Sequence, residues 1–471
     1  MLFNSLSFVV FLVIVLALYY SKLLNWTNKK RMLLFASYLF YGLWNPPLVI
    51  LLWISTIVDW ITGKKLATEE NQRKRKLLLL LSMLVNLGFL GFFKYRDFLL
   101  DNFTAVVNTY GYGYQSEPLD IILPMGISFY TFQTMSYTID MYLKRTERAK
   151  TFLDFALYVT FFPQLVAGPI VRAKDLISQF YEEKIATVNQ FIWGLFLLTL
   201  GLFQKVVMAD TLLSDTVDKV YSADKILNFW DSWMGTLAFS GQIFFDFAGY
   251  STCAIGIALM LGIILPDNFK YPYGSLGFSD LWQRWHITLS SWLRDYLYIP
   301  LGGNRHGVIR MYVALMITML LGGLWHGAAW TFIVWGGLHG TYLIIERLQR
   351  KYLPFKITKW NGIFLAFTTF TCVNITWVFF RAREFKTAWN MIGSMFYLNP
   401  DGEKVLSSFD ILKVGIIIGI LFLCHWLMRN TSVEEVSKKI SPIALAAIWA
   451  VMLFLVVIAQ GSGEQFIYFQ F

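Results

Sequence analysis

The chain has 471 residues, 56% of them hydrophobic and 15% charged, where a soluble domain carries roughly a quarter charged. Its net charge of +10 is gathered in short clusters rather than interleaved with aromatics over one folded surface, which excludes a nucleic-acid binder. Cys253, Cys372 and Cys424 stand alone in apolar segments, so neither a disulfide framework nor a zinc site is expected.

In chain order, the apolar residues form blocks, among them Phe11 to Tyr20, Leu77 to Phe93, Phe191 to Phe203, Ile363 to Phe380 and Ile443 to Ala459. A helix crossing a bilayer core needs about 20 mostly apolar residues, and about eleven to thirteen blocks reach or approach that length. The expected fold is an all-α polytopic membrane protein, some of whose helices are short or re-entrant. The first block lacks a basic leader, and Lys29, Lys30 and Arg31 follow it. It therefore reads as a first span and not as a cleaved signal. Lys64 to Lys76 and Lys144 to Lys150 are further basic clusters, each two spans after the last. All three then share the cytoplasmic face, which puts the N-terminus outside. Arg429, Lys438 and Lys439 mark a late cytoplasmic loop in the same way, so the C-terminus emerges outside. The polar stretches (Lys94 to Pro118, Ala173 to Asn189, Ser214 to Ser232, Pro266 to Arg310, Asn399 to Asp410) fit loops or interfacial helices. The chain reads as one membrane domain over 1–471, with an extracytoplasmic tail at 460–471.

The segment Asp280 to Arg305 is the most unusual. At 100° per residue, Trp282, Trp285, Leu289, Trp292 and Tyr296 fall on one arc, with Gln283, His286, Ser290 and Arg294 beside it. That pattern predicts an interfacial amphipathic helix, with His286 as a polar residue on its wet arc. Gly302 and Gly303 in the following PLGGNRHG predict a tight turn.

Of five histidines, His326 stands out. It lies in GGLWHGAAW between apolar runs, and an ionisable group at membrane depth is either functional or a neutral histidine hydrogen-bonded to a carbonyl between packed helices. The surrounding small residues leave room for a substrate. His339 and His425 read as packing or interfacial residues and His306 as a loop residue. Asp246, in SGQIFFDFAGYS, needs a partner at that depth, with Gln242 or Tyr250 as candidates; Asp59 is a second buried carboxylate. No third ligand stands at metal spacing from His326. No phosphate loop, GxGxxG or GxSxG is present.

WQRWHITLSSWLRDYLYIPLGGNR, Trp282 to Arg305, resembles the signature of the bacterial membrane-bound O-acyltransferases, and GGLWHGAAWTFIVWGGLHG, Gly322 to Gly340, resembles the block holding that family's histidine. Ser128 to Tyr142, Phe161 to Arg172 and Gln242 to Gly262 add matching stretches in the same order. Within the family, the likeness is greatest to the membrane components of alginate and peptidoglycan O-acetylation. The resemblance implies a ring of helices around a central tunnel, with His326 catalytic and His286 the second family histidine. Asp246, Gln242, Arg284, Arg294, Asn304 and Trp325 are the supporting polar or tunnel residues. It implies no bound cofactor or metal, acetyl-CoA as the cytosolic donor, and an extracytoplasmic partner of the SGNH-hydrolase type. The setting is a bacterial cytoplasmic membrane, the process exopolysaccharide or cell-envelope O-acetylation. A neutral imidazole, with its ordinary pKa near 6.5, suits the base that takes the acceptor hydroxyl's proton. The tail GSGEQFIYFQF offers Tyr468 as an acyl acceptor, or else an aromatic anchor. Two alternatives stay open: another acyl group such as D-alanine, and a proton-coupled transporter using His326 and Asp246.

Overall fold

In a bilayer every backbone amide must be paired within its own segment, so apolar runs of this length can only be helices. The computed structural model describes residues 1, 3–115, 122–354 and 356–459, and among them no strand forms beyond an isolated bridge between Leu227 and Glu403. The main helices are α1 (Leu6–Tyr20), α2 (Trp26–Gly42), α3 (Val49–Thr68), α4 (Gln72–Thr109), α5 (Ile127–Tyr142), α6 (Phe152–Thr160), α7 (Val188–Tyr221), α8 (Phe229–Met260), α9 (Phe278–Trp282), α10 (Ile287–Leu293), α11 (Val308–His326), α12 (Trp330–Tyr352), α13 (Lys359–Arg381), α14 (Phe385–Met395), α15 (Ser408–Met428) and α16 (Pro442–Ile458). Among the described residues seven helices are long and apolar enough to cross a membrane: α3, α4, α7, α8, α11, α13 and α15. The apolar α1 and α16 are shorter. On α15, Phe409, Leu412, Ile416, Ile420, Leu423 and Leu427 are exposed at a spacing of three and four, a stripe suited to lipid. The chain is a multi-pass membrane protein.

It forms two compact units, one of residues 1–198 and 253–266, the other of 199–252 and 267 onwards. In the first, polar groups fasten the helices together. Asp59 on α3 is fully buried and accepts from Ser82 Oγ, from Asn86 Nδ2 at 2.8 Å and from Thr138 Oγ1 at 3.1 Å. Those donors stand on α4 and α5, so one carboxylate joins three helices. Some of the basic clusters are structural as well. Arg75 is buried, its guanidinium donating to the carbonyls of Leu66, Glu69, Met141 and Tyr142. It thereby satisfies carbonyls left open at the C-terminal ends of α3 and α5. Lys30 is likewise buried against Asp154. These two cations hold helices together instead of lying on a solvated basic surface.

In the second unit, α11 and α12 form a hairpin joined by Gly327, Ala328 and Ala329. Glycine lets the two backbones touch: a methyl on Gly323 would lie 2.2 Å from the Phe332 carbonyl oxygen, and one on Gly336 2.2 Å from that of Met319. On Gly327 it would lie 2.1 Å from the Phe332 ring. These small residues serve helix contact, and not the substrate room that the sequence around His326 had suggested.

Candidate functional site

His326 is the last residue of α11 and is buried. The tight hairpin turns the chain immediately after it and brings Trp335 of α12 against its ring, with centroids 5.0 Å apart. Trp325 at 5.0 Å and Phe380 of α13 at 5.3 Å complete an aromatic wall around the imidazole.

His286 lies 6.5 Å from His326, ring centroid to ring centroid. It is completely buried, which corrects the interfacial reading, and the continuous amphipathic helix expected over Leu281 to Tyr298 does not form. Two short helices, α9 and α10, flank a break in which His286 adopts φ 43° and ψ 55°. Histidine is among the residues that visit this left-handed region. Long-range bonds set the break. Asn268, itself buried, accepts from Ile287 N with its backbone carbonyl at 2.9 Å and from Thr288 Oγ1 with its side chain at 2.9 Å. Its amide donates to Ser251 Oγ of α8 at 3.1 Å. Wheel geometry assumes an unbroken helix, so the inward turn of Trp285 and His286 was invisible to it. Phe247 of α8 packs edge-on against His286 at 4.6 Å, and Trp325 lies 5.9 Å away. Burial pushes the His286 imidazole down to about 3, so it is neutral near pH 7.

The remaining expected site residues divide. Trp325 belongs to the wall between the two histidines. Asp246 has a partner the sequence reading missed: Lys205 Nζ lies 2.5 Å from its Oδ1 and 2.8 Å from Asp210 Oδ1. The signal was a lysine and an aspartate five residues apart. They fall on one side because Phe203–Leu213 is wound as a π-helix, whose hydrogen bonds run from i to i+5. Gln242 is buried one turn before Asp246. Arg284 is structural. Its Nε donates to Asp280 Oδ1 at 2.7 Å and its Nη1 to the Arg429 carbonyl at 2.8 Å, fastening α9 to the end of α15. Arg294 is exposed and paired with neighbouring Asp295. Asn304 accepts from Tyr298 Oη at 2.6 Å within the PLGG turn, where Gly302 and Gly303 take φ values of 121° and 50°. Among the described residues no contact brings Arg294 or Asn304 to the histidine pair. His425 is buried, its Nδ1 accepting from Tyr273 N at 3.1 Å. Tyr468 lies outside the described residues. Among the described residues no group of three His, Cys, Asp or Glu side chains is placed to hold a metal ion.

Two buried imidazoles 6.5 Å apart among aromatic rings are groups that can accept and return a proton away from bulk water. The profile of the membrane-bound O-acyltransferase family matches residues 4–380, and the chain belongs to that family of acyltransferases. A probable alginate O-acetylase of Azotobacter vinelandii is 40% identical over 402 residues, 84% of this chain and 78% of the relative. Its counterpart in Pseudomonas aeruginosa is 39% identical over 432 residues, 90% of this chain and 80% of that one. A peptidoglycan O-acetyltransferase of Helicobacter pylori is 39% identical over 403 residues, 79% of this chain and 74% of the relative.

Proposed function

We propose that this chain passes acetyl groups from a cytosolic thioester, acetyl-CoA, across a bacterial cytoplasmic membrane for O-acetylation of an extracytoplasmic polysaccharide. The observation that carries the reading is the buried pair His286 and His326, 6.5 Å apart, in a chain whose relatives are named as O-acetylases of alginate and peptidoglycan. His326 acts as the general base. The acceptor oxygen attacks the thioester carbonyl carbon while its proton passes to the imidazole. The carbon–sulfur bond then breaks, and the thiolate recovers that proton and leaves as thiol. A positioned base of this kind is worth roughly 10²–10⁴ in rate. His286, enclosed by aromatics and 6.5 Å from His326, orients the acceptor. Tyr468 is the proposed first acceptor, from which an SGNH-type partner outside the membrane moves the acetyl group to sugar hydroxyls. In this reading both chain termini lie outside, which the basic clusters at Lys29 to Arg31, Lys64 to Lys76 and Lys144 to Lys150 support.

The test is transfer from radiolabelled acetyl-CoA to purified protein in detergent, with and without the secreted partner. Label captured or hydrolysed by wild type supports the donor assignment, and loss of captured label in Tyr468→Phe supports the relay. No turnover even with the partner present would transfer the reading to another acyl donor such as D-alanine.

A further inference from the structure

A helix leaves its first amides without intrahelical acceptors, and the N-cap residue ordinarily takes one of them with a short polar side chain on an extended backbone. At the start of α10 that place belongs to His286, which is left-handed and whose ring makes no capping bond. Asn268 supplies the cap from a distance. Its backbone carbonyl accepts from Ile287 N at 2.9 Å, and its Oδ1 accepts from Thr288 N at 3.3 Å and from Thr288 Oγ1 at 2.9 Å. A backbone N–H can only donate, so the amide atom facing Thr288 is the oxygen, and the nitrogen faces Ser251 Oγ at 3.1 Å. Asn268, Ser251 and Thr288 are all buried. Ser251 stands one turn after Phe247 on the same face of α8, and Phe247 is the ring packed edge-on against His286 at 4.6 Å. One face of α8 thus holds the imidazole through Phe247 and the backbone that carries it through Ser251 and Asn268.

A left-handed backbone is costly for any residue with a Cβ, and it persists only where the surroundings over-determine it. An extended serine or aspartate at 286 would cap α10 without that cost. The chain instead carries a histidine there, bends its backbone and draws the cap from Asn268. What this arrangement gains is an imidazole 6.5 Å from that of His326. We propose that Asn268 is a positioning residue for acyl transfer: its bonds to Ile287, Thr288 and Ser251 hold the left-handed backbone of His286 and so keep that imidazole beside His326. Asn268 acts through His286, and the inference rests on the reading above in which His286 orients the acceptor.

The experiment measures acetyl transfer from acetyl-CoA by the purified protein with its secreted partner. Asn268→Ala, Thr288→Val and Thr288→Ser are each made alone and together with His286→Asn. Valine keeps the shape of threonine and removes its hydroxyl, and serine restores the hydroxyl. Rates are taken well below each variant's melting temperature, so that lost stability alone does not register. The expected result is a kcat lowered by up to about 10²-fold in Asn268→Ala and Thr288→Val, as for a site group displaced by about 1 Å. KM for acetyl-CoA stays close to that of wild type, and Thr288→Ser keeps both constants. In the His286→Asn background the same substitutions cost little further rate, because residues that act as a unit are not additive. Should Asn268→Ala fail to fold, the two Thr288 variants decide. An unchanged kcat in Thr288→Val and in folded Asn268→Ala, or a penalty as large with His286→Asn as without it, overturns the inference and leaves the donor assignment intact. Wild-type protein that transfers nothing from acetyl-CoA, or His286→Asn working at the wild-type rate, instead removes the reading on which it rests.

Discussion

Replacing Lys205 with methionine isolates the ion cluster that holds α7 to α8. Its ammonium lies 2.5 Å from Asp246 and 2.8 Å from Asp210, and the three side chains are 10%, 2% and 3% exposed. At that burial the pairs escape the screening that makes surface salt bridges weak. Removing one partner of a buried ion pair typically costs about 3–5 kcal/mol, because a charge is left uncompensated. Lys205→Met leaves two carboxylates and lies at the top of that range. Asp246→Asn and Asp210→Asn each leave one ion pair intact and cost less. The triple variant Lys205→Met/Asp210→Asn/Asp246→Asn removes the buried charges together and recovers much of the loss, since well-packed neutral replacements are often tolerated. Unfolding by SDS titration in mixed micelles would read these differences on the purified protein. Equal losses in Lys205→Met and Asp246→Asn, or no recovery in the triple variant, would refute the reasoning.

Three further outcomes follow from the same geometry. Gly323→Ala and Gly336→Ala each place a methyl 2.2 Å from a carbonyl oxygen of the facing helix; the overpacking costs about 1–3 kcal/mol and lowers transferase activity by displacing His326, measurable as melting temperature and rate together. His425→Ala removes the acceptor for Tyr273 N–H and costs about 1–3 kcal/mol, whereas His425→Asn, whose amide oxygen can stand in for Nδ1, costs less; paired thermal melts check this. The third concerns pH. The folded protein disfavours protonated His286, whose pKa burial lowers to about 3, while the unfolded chain takes up that proton below about 6.5. Its contribution is therefore constant above pH 6.5 and is lost as pH falls, by about 1.4 kcal/mol per unit. His286→Asn, suited to the left-handed backbone, should lower the slope of the stability profile between pH 6.5 and 4.5 by about that amount relative to wild type.

The helical, membrane-embedded architecture was legible in the sequence because the hydrophobic blocks and the sparse charge leave no other fold. The burial of His326 was legible too, since apolar runs flank it on both sides. What escaped depended on contacts between residues far apart in sequence. His286 looked interfacial because a helical wheel cannot register the break that Asn268 imposes from 18 positions upstream. Lys205 was not matched to Asp246 because they stand on different helices, and its match to Asp210 depends on π-helical winding that an α-helical period does not foresee. The glycines beside His326 were visible, but whether they admit a substrate or a neighbouring helix is decided by α12. His339 read as a packing or interfacial residue, and its contact with Thr376 of α13, 37 positions away, could not be seen in the sequence.

The proposed role of His326 is to supply the base for acyl transfer while taking little part in holding the donor. Its most direct test measures acetyl transfer and CoA affinity separately in wild type and His326→Ala. The expected result is a rate lowered roughly 10²–10⁴-fold, with CoA binding close to that of wild type. A variant that still transfers acetyl groups at the wild-type rate would contradict it.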